Sequence, residues 1–214
     1  MNKIIENKTL IDTFSDIWKN GGLDVRDVNP FGIRNFDNLM GGVWNDTVGF
    51  WEPDRMIFVA KGTVDPSPYY IREHPMNPAG TGVMCHGPHK NTHCVGPHGK
   101  TGYTALVNTH DYNPKCQPQD LWRVDRDGKF IMENGSPKIF SGYFGANIHH
   151  GNAYAIEDHI GAWSAACQVF QDIKDFNILM DAVLSSEMYK ADKACLFNYY
   201  LFDKNEMPVE VIIL

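Results

Sequence analysis

The feature that most constrains this chain is the punctuation of its apolar residues: from residue 30 onward they come mostly in short runs, cut by Gly, Pro, Asn or Asp. Trp44, Val48, Phe50, Trp51, Met56, Phe58 and Ala60 read as consecutive short strands separated by turn residues. Pro66 and Pro68 exclude a central strand over residues 63–70, because proline cannot donate to a sheet ladder. Residues 122–124 and 129–131 flank Asp125-Arg126-Asp127-Gly128, whose Asp-Gly step suits a tight hairpin turn. Residues 103–109, 140–150 and 194–202 are strand-like, and residues 209–214 offer a last strand. Helical spacing occurs in two places only. One is Leu10, Ile11, Phe14, Ile17 and Trp18, stopped by Gly21-Gly22; the other is Phe176, Leu179, Met180, Val183 and Leu184. The expected fold is mainly β with one or two helices, organised as an N-terminal helical extension over 1–29 and a single domain over 30–214.

A chain of 214 residues buries roughly 70% of its extended surface and folds without help from metals or disulfides. Its formal net charge is -7 and it has no long basic run, which argues against nucleic acid as a partner. No apolar run reaches the roughly 20 residues that span a bilayer, so membrane insertion is not expected. The N-terminal MNKIIENKTLIDTF lacks an extended apolar stretch, so the expectation is synthesis in the cytoplasm without a secretory signal. The five cysteines, an odd number, leave at least one thiol unpaired.

One of those thiols stands out. Cys167 follows His149 by eighteen residues, and an imidazole within hydrogen-bond reach makes a thiol a strong nucleophile. A helix beginning near Cys167 is expected to lower the thiol pKa and to supply oxyanion donors, with Ser164 capping the turn. His149 is the expected base, with His150 turned the other way by strand alternation and Asn147 on the same face as His149. His159 is a weaker base, being only eight residues from the cysteine. An orienting group for the histidine is expected from a backbone carbonyl or from Asn147, Asp158 or Ser164. His98, Lys100 and Arg126 are candidates to meet a substrate carboxylate. The alternative for Cys167 is an inert buried cysteine, and for His149 a structural histidine.

Ile148-His149 followed by Ser164-Ala165-Ala166-Cys167-Gln168 resembles the signature of the L,D-transpeptidase (YkuD-like) catalytic domain. The resemblance implies a β-sandwich or barrel, Cys167 as nucleophile, His149 as base, and Ser164 at the first position of the second segment. The family's second histidine falls at Ala165, its glycine at Ala166, and Gln168 stands where Ile or Val is usual; the family arginine beyond it is absent. The wider layout is similar to a divergent group of phage and gut-bacterial proteins. The matching pieces are Gly32-Ile33-Arg34, Thr63-Val64-Asp65-Pro66, Gly80-Thr81-Gly82, residues 96–107, Arg126-Asp127, residues 144–149 and residues 163–169. The implied chemistry is acyl transfer or hydrolysis on peptidoglycan stem peptides, with Asn147, His98, Arg126 and Trp163 lining the substrate site. No cofactor and no metal are required by it. The implied site of action is the cell wall, reached through phage lysis or a virion.

Two further readings come from other classes. Cys85, His86, His89, His93, Cys94 and His98 form a possible zinc set for a peptidoglycan hydrolase, although the surrounding Gly and Pro residues favour a surface loop or lid. Loss of the second family histidine suits a non-catalytic phage or cell-surface structural protein that keeps the fold. Asp125-x-Asp127-Gly128 resembles part of a calcium loop but lacks the other ligands, so a hairpin turn is expected.

Overall fold

The N-terminal residues join the sheet directly. A computed structural model describes residues 3–36, 40–100 and 102–213. β1 (Lys3–Ile5) leads into α1 (Lys8–Asn20), which Asn7 caps by accepting from the Leu10 N–H at 3.2 Å. β2 (Asn29–Arg34), β3 (Asp46–Glu52) and β4 (Met56–Thr63) then run as an antiparallel meander. α1 buries Leu10, Ile11, Phe14 and Trp18 against this meander. Phe14 meets Phe31 at 5.0 Å and Trp18 meets Trp51 at 5.7 Å, both edge-on. Full burial of one such ring contributes roughly 2–3 kcal/mol, so the helix is an integral cover of the barrel wall.

After a π-helical turn at Tyr69–Glu73 come β5 (Thr81–Met84), β6 (Gly87–His98), β7 (Tyr103–Val107) and β8 (Gln119–Val124). The short strands β9 (Met132–Glu133), β10 (Ser136–Pro137) and β11 (Phe140–Gly142) precede β12 (Ile148–His150) and β13 (Gln168–Phe170). α2 (Ile173–Ser185), α3 (Glu187–Ala191) and β14 (Phe197–Asp203) complete the regular structure. The large sheet runs β4-β13-β12-β7-β6-β14-β2-β3, and β3 pairs back onto β4 to close an eight-stranded barrel. Two pairs are parallel, β12 with β13 and β14 with β2; β1 extends the β4 edge beyond β13. The apolar stripe of α2 (Phe176, Leu179, Met180, Val183) packs with Phe197, Tyr199 and Leu201 of the barrel core. β11, β8 and β5 form a separate three-stranded sheet. The fold is mainly β with few helices, as the sequence pattern predicts.

Three local expectations are overturned. Residues 85–98 do not form a surface loop: β6 crosses the barrel wall between β7 and β14. Its prolines sit near its two ends, and Asn91 takes φ 55° where the pairing with β14 slips. Both His89 and His93 face Tyr199, with ring centroids 6.2 and 5.7 Å away. The 140–150 segment is not one strand, because residues 143–147 leave the sheet between β11 and β12. The last segment is a 3-10 turn, Val209–Val211, because Val211 packs inward against the α1 cluster. The hairpin turn at 125–128 is present. Asp125 Oδ1 accepts from the N–H groups of Asp127 and Lys129, both at 2.9 Å, and Gly128 takes φ 78°.

Candidate active site

The site is built on the parallel pair β12–β13. His149 pairs with Val169, and the Gln168 N–H donates to Asn147 O at 2.8 Å, which carries the ladder back toward Cys167. Gln168 turns into the barrel, where its Oε1 accepts from Tyr199 Oη at 2.8 Å. By alternation Asn147, His149, Cys167 and Val169 turn to the opposite face. His149 and Cys167 are thus diagonal neighbours on one face of a parallel strand pair.

Of the five cysteines four are buried and only Cys167 is partly exposed. Its Sγ–H donates to Gly145 O at 3.5 Å. The expected helix at this position is absent: β13 starts at Gln168 and α2 only at Ile173. Gln168, Val169 and Phe170 are buried because they fill the barrel wall between β4 and β12, so strand pairing overrides a helical start. Without a helix N-terminus the thiol is not acidified. Burial pushes it up to about 11, against the opposing pull of the Asn147 and Ala165 backbone N–H groups.

His149 is 3% exposed, and its Nδ1 lies 2.8 Å from His150 O. A carbonyl only accepts, so Nδ1 carries the proton and Nε2 presents its lone pair. Burial holds the imidazole at about 3, aided by neighbouring His98. The orienting group is therefore a backbone carbonyl; Asp158 is exposed and forms no part of it. The His98 ring stacks on His149 with centroids 4.1 Å apart. Asn147 Nδ2 donates to His98 Nδ1 at 2.9 Å, and Asn147 Oδ1 accepts from the Asn108 N–H at 2.8 Å. Burial, then His150, lowers the His98 pKa. His150 instead stacks on Tyr103 at 4.3 Å and approaches Phe176.

Ser164 is buried below the cysteine. Its hydroxyl donates to Cys167 O at 3.0 Å, and its carbonyl accepts from the Ser67 N–H at 2.8 Å. It holds the Cys167 backbone. Trp163 donates from Nε1 to Glu157 Oε2 at 2.7 Å and packs with Trp44, Ile160, Val169 and Cys167. It braces the 151–167 loop. Arg126 is exposed in the hairpin turn and lines neither cleft described below. Lys100 is also exposed, and His159 bridges to Val43 outside the site.

Two clefts flank residues 143–145. One, of about 410 Å³, is lined by Cys167, Ala166, Leu121, Gly82, Arg123 and Phe144, among others. The other, of about 720 Å³, reaches Asn147, Asn108 and His110. Gly82 packs tightly at the first: a Cβ there would lie 2.8 Å from Leu121 Cδ1 and 3.4 Å from Ala166 Cβ. The three-stranded sheet can then approach the cysteine loop closely. Arg123 belongs to no motif in the sequence. Alternation along Leu121-Trp122-Arg123 gave a signal, but the face it selects depends on the pairing with β5 and β11.

The zinc set is dispersed. His89 Nε2 bonds to Cys85 O at 2.8 Å and His93 Nε2 to Ala146 O at 3.1 Å. Among the described residues no group of three or more His, Cys, Asp or Glu side chains is placed to hold a metal ion. Among the same residues no helix is long and apolar enough to cross a membrane. Comparison of the chain with protein-family profiles, curated proteins and solved structures finds no match.

Proposed function

We propose that this chain is a cysteine-dependent acyl-transfer enzyme acting on amide bonds of peptidoglycan stem peptides, with Cys167 as nucleophile and His149 as base. The observation that carries the reading is the placement of the one partly exposed thiol and a tautomer-fixed histidine on the same face of a single strand pair, with the thiol lining a cleft. The choice of stem peptides rests on the L,D-transpeptidase resemblance of Ile148-His149 and Ser164 to Gln168.

Both partners are neutral at rest, since the thiol sits near 11 and the imidazole near 3. Attack therefore needs proton transfer in the same step: the Sγ proton passes to His149 Nε2 as sulfur bonds to the amide carbon. The Asn147 and Ala165 N–H groups near the sulfur ease the loss of its proton, while the negative charge of the adduct develops on the carbonyl oxygen. Collapse of the tetrahedral adduct returns the proton from His149 to the departing amine and leaves a thioester on Cys167. Water then releases an acid, or an amine releases a new amide; the first makes a hydrolase, the second a cross-linking transferase. The proposed place of action is the cell wall, through phage lysis or a virion.

The test is mass spectrometry of purified stem peptides after incubation with wild type, Cys167→Ala and His149→Gln. Wild type cuts or exchanges a bond, Cys167→Ala does neither, and His149→Gln is slower by roughly 100- to 10,000-fold. Peptides left untouched by wild type favour a non-catalytic structural protein instead.

A further inference from the structure

We infer that Arg123 anchors a carboxylate of the substrate in the cleft beside Cys167, so that the acyl donor is an anionic peptide; this deepens the acyl-transfer reading and rests on it. Arg123 is a cation 7% exposed, on the β8 strand that walls the cleft. Its Nη1 donates to Gly80 O at 2.6 Å, and its other N–H groups meet no acceptor among the described residues. No carboxylate of those residues pairs with it; the eight ion pairs they form lie elsewhere.

A charge taken out of water is expensive unless paired. Here the compensation within the protein is one carbonyl and the faces of Phe140 and Phe144, with the guanidinium carbon 5.1 and 5.4 Å from the ring centroids. The two rings hold the planar group in one orientation. A fixed guanidinium with free N–H groups suits a carboxylate, which accepts two parallel hydrogen bonds from it. Desolvation lowers the Arg123 pKa, in keeping with a charge that lacks a partner. Cys167 lines the same cleft, so a molecule held by Arg123 presents its neighbouring atoms to the sulfur.

The test uses thiol alkylation, which needs no turnover. Three reagents, N-iodoacetyl glycine, N-iodoacetyl β-alanine and N-iodoacetyl γ-aminobutyrate, are compared with their primary amides, each rate being divided by that for free glutathione. In wild type the acid of at least one linker length should label Cys167 tenfold or more faster than its amide. In Arg123→Gln the acid-to-amide ratio should fall to that of glutathione, and Arg123→Lys should keep part of the preference. Equal normalised rates for acid and amide at all three lengths in wild type overturn the inference. So does a preference that survives in a folded Arg123→Gln protein. Failure of the enzyme reading looks different: stem peptides stay intact while the charge preference of labelling persists.

Discussion

Arg34 and Arg123 are both nearly closed to water, at 0% and 7% exposure, yet they are held in different ways. Arg34 spends its donors inside the barrel: Nε on Asp65 at 2.8 Å, Nη1 on Met84 O at 2.8 Å, Nη2 on Val64 O at 3.4 Å. Beside them Asp46 accepts from the N–H groups of Val64 and Asn35, and burial followed by the Asp65 charge raises its carboxyl to about 7. Arg123 has one hydrogen bond and a cleft. The histidines repeat the contrast. His93 uses both ring nitrogens, on Thr92 Oγ1 and Ala146 O, whereas His149 uses Nδ1 on a carbonyl and leaves Nε2 with its lone pair. Within one fold, groups that spend their hydrogen-bonding capacity on one another stabilise the barrel. Arg123 keeps donors in reserve next to a cleft, and His149 keeps one ring nitrogen in reserve on the face it shares with Cys167.

The sharpest way to break this comparison is to remove each arginine in turn. Arg34→Met leaves Asp65 buried without its counter-charge and should destabilise the protein by about 3–5 kcal/mol. Arg123→Met loses one hydrogen bond and should cost about 1 kcal/mol. Urea unfolding measures both; equal losses, or the reverse ranking, would show that Arg123 is a structural arginine like Arg34.

A smaller effect sharpens it. Burial holds His86 at about 4 and His93 and His149 at about 3. The same groups titrate near 6.5 in the unfolded chain, which therefore binds more protons between those values. Stability is thus lost as pH falls below about 6.5. Asp46, raised to about 7, acts in the opposite sense, because its folded form keeps a proton that the unfolded form releases. Three histidines outweigh it, and stability should drop by on the order of 2 kcal/mol between pH 7 and pH 5. His149→Gln should flatten this slope, although His149 belongs to the site and not to the barrel network. An unchanged slope in that variant would mean that His149 is not held neutral.

Much of this arrangement is legible in the residues themselves. Short runs of Val, Phe and Trp cut by Gly and Pro point to a mainly β chain, and the spacing of Phe176, Leu179, Met180 and Val183 points to α2. Alternation alone separates His149 from His150 and puts Asn147 with His149. What the sequence hides is long-range. The β6 irregularity at Asn91 disguises a wall strand as a loop, since its direction is set by β14, about a hundred residues away. The Gln168-Val169-Phe170 run suits either a helix start or a buried strand, and only the gap between β4 and β12 decides for strand. Arg123 gains its place from β5 and β11, which no local pattern links to Cys167.

The central claim is that Cys167 becomes acylated with His149 as its base. The direct measurement is acid-quenched intact-protein and peptide mass spectrometry after mixing the protein with a stem peptide. A thioester adduct should appear on the peptide bearing Cys167, be absent in Cys167→Ala, and form at least 100-fold more slowly in His149→Gln. Turnover with no adduct on Cys167, or an adduct that forms equally fast without the histidine, would contradict it.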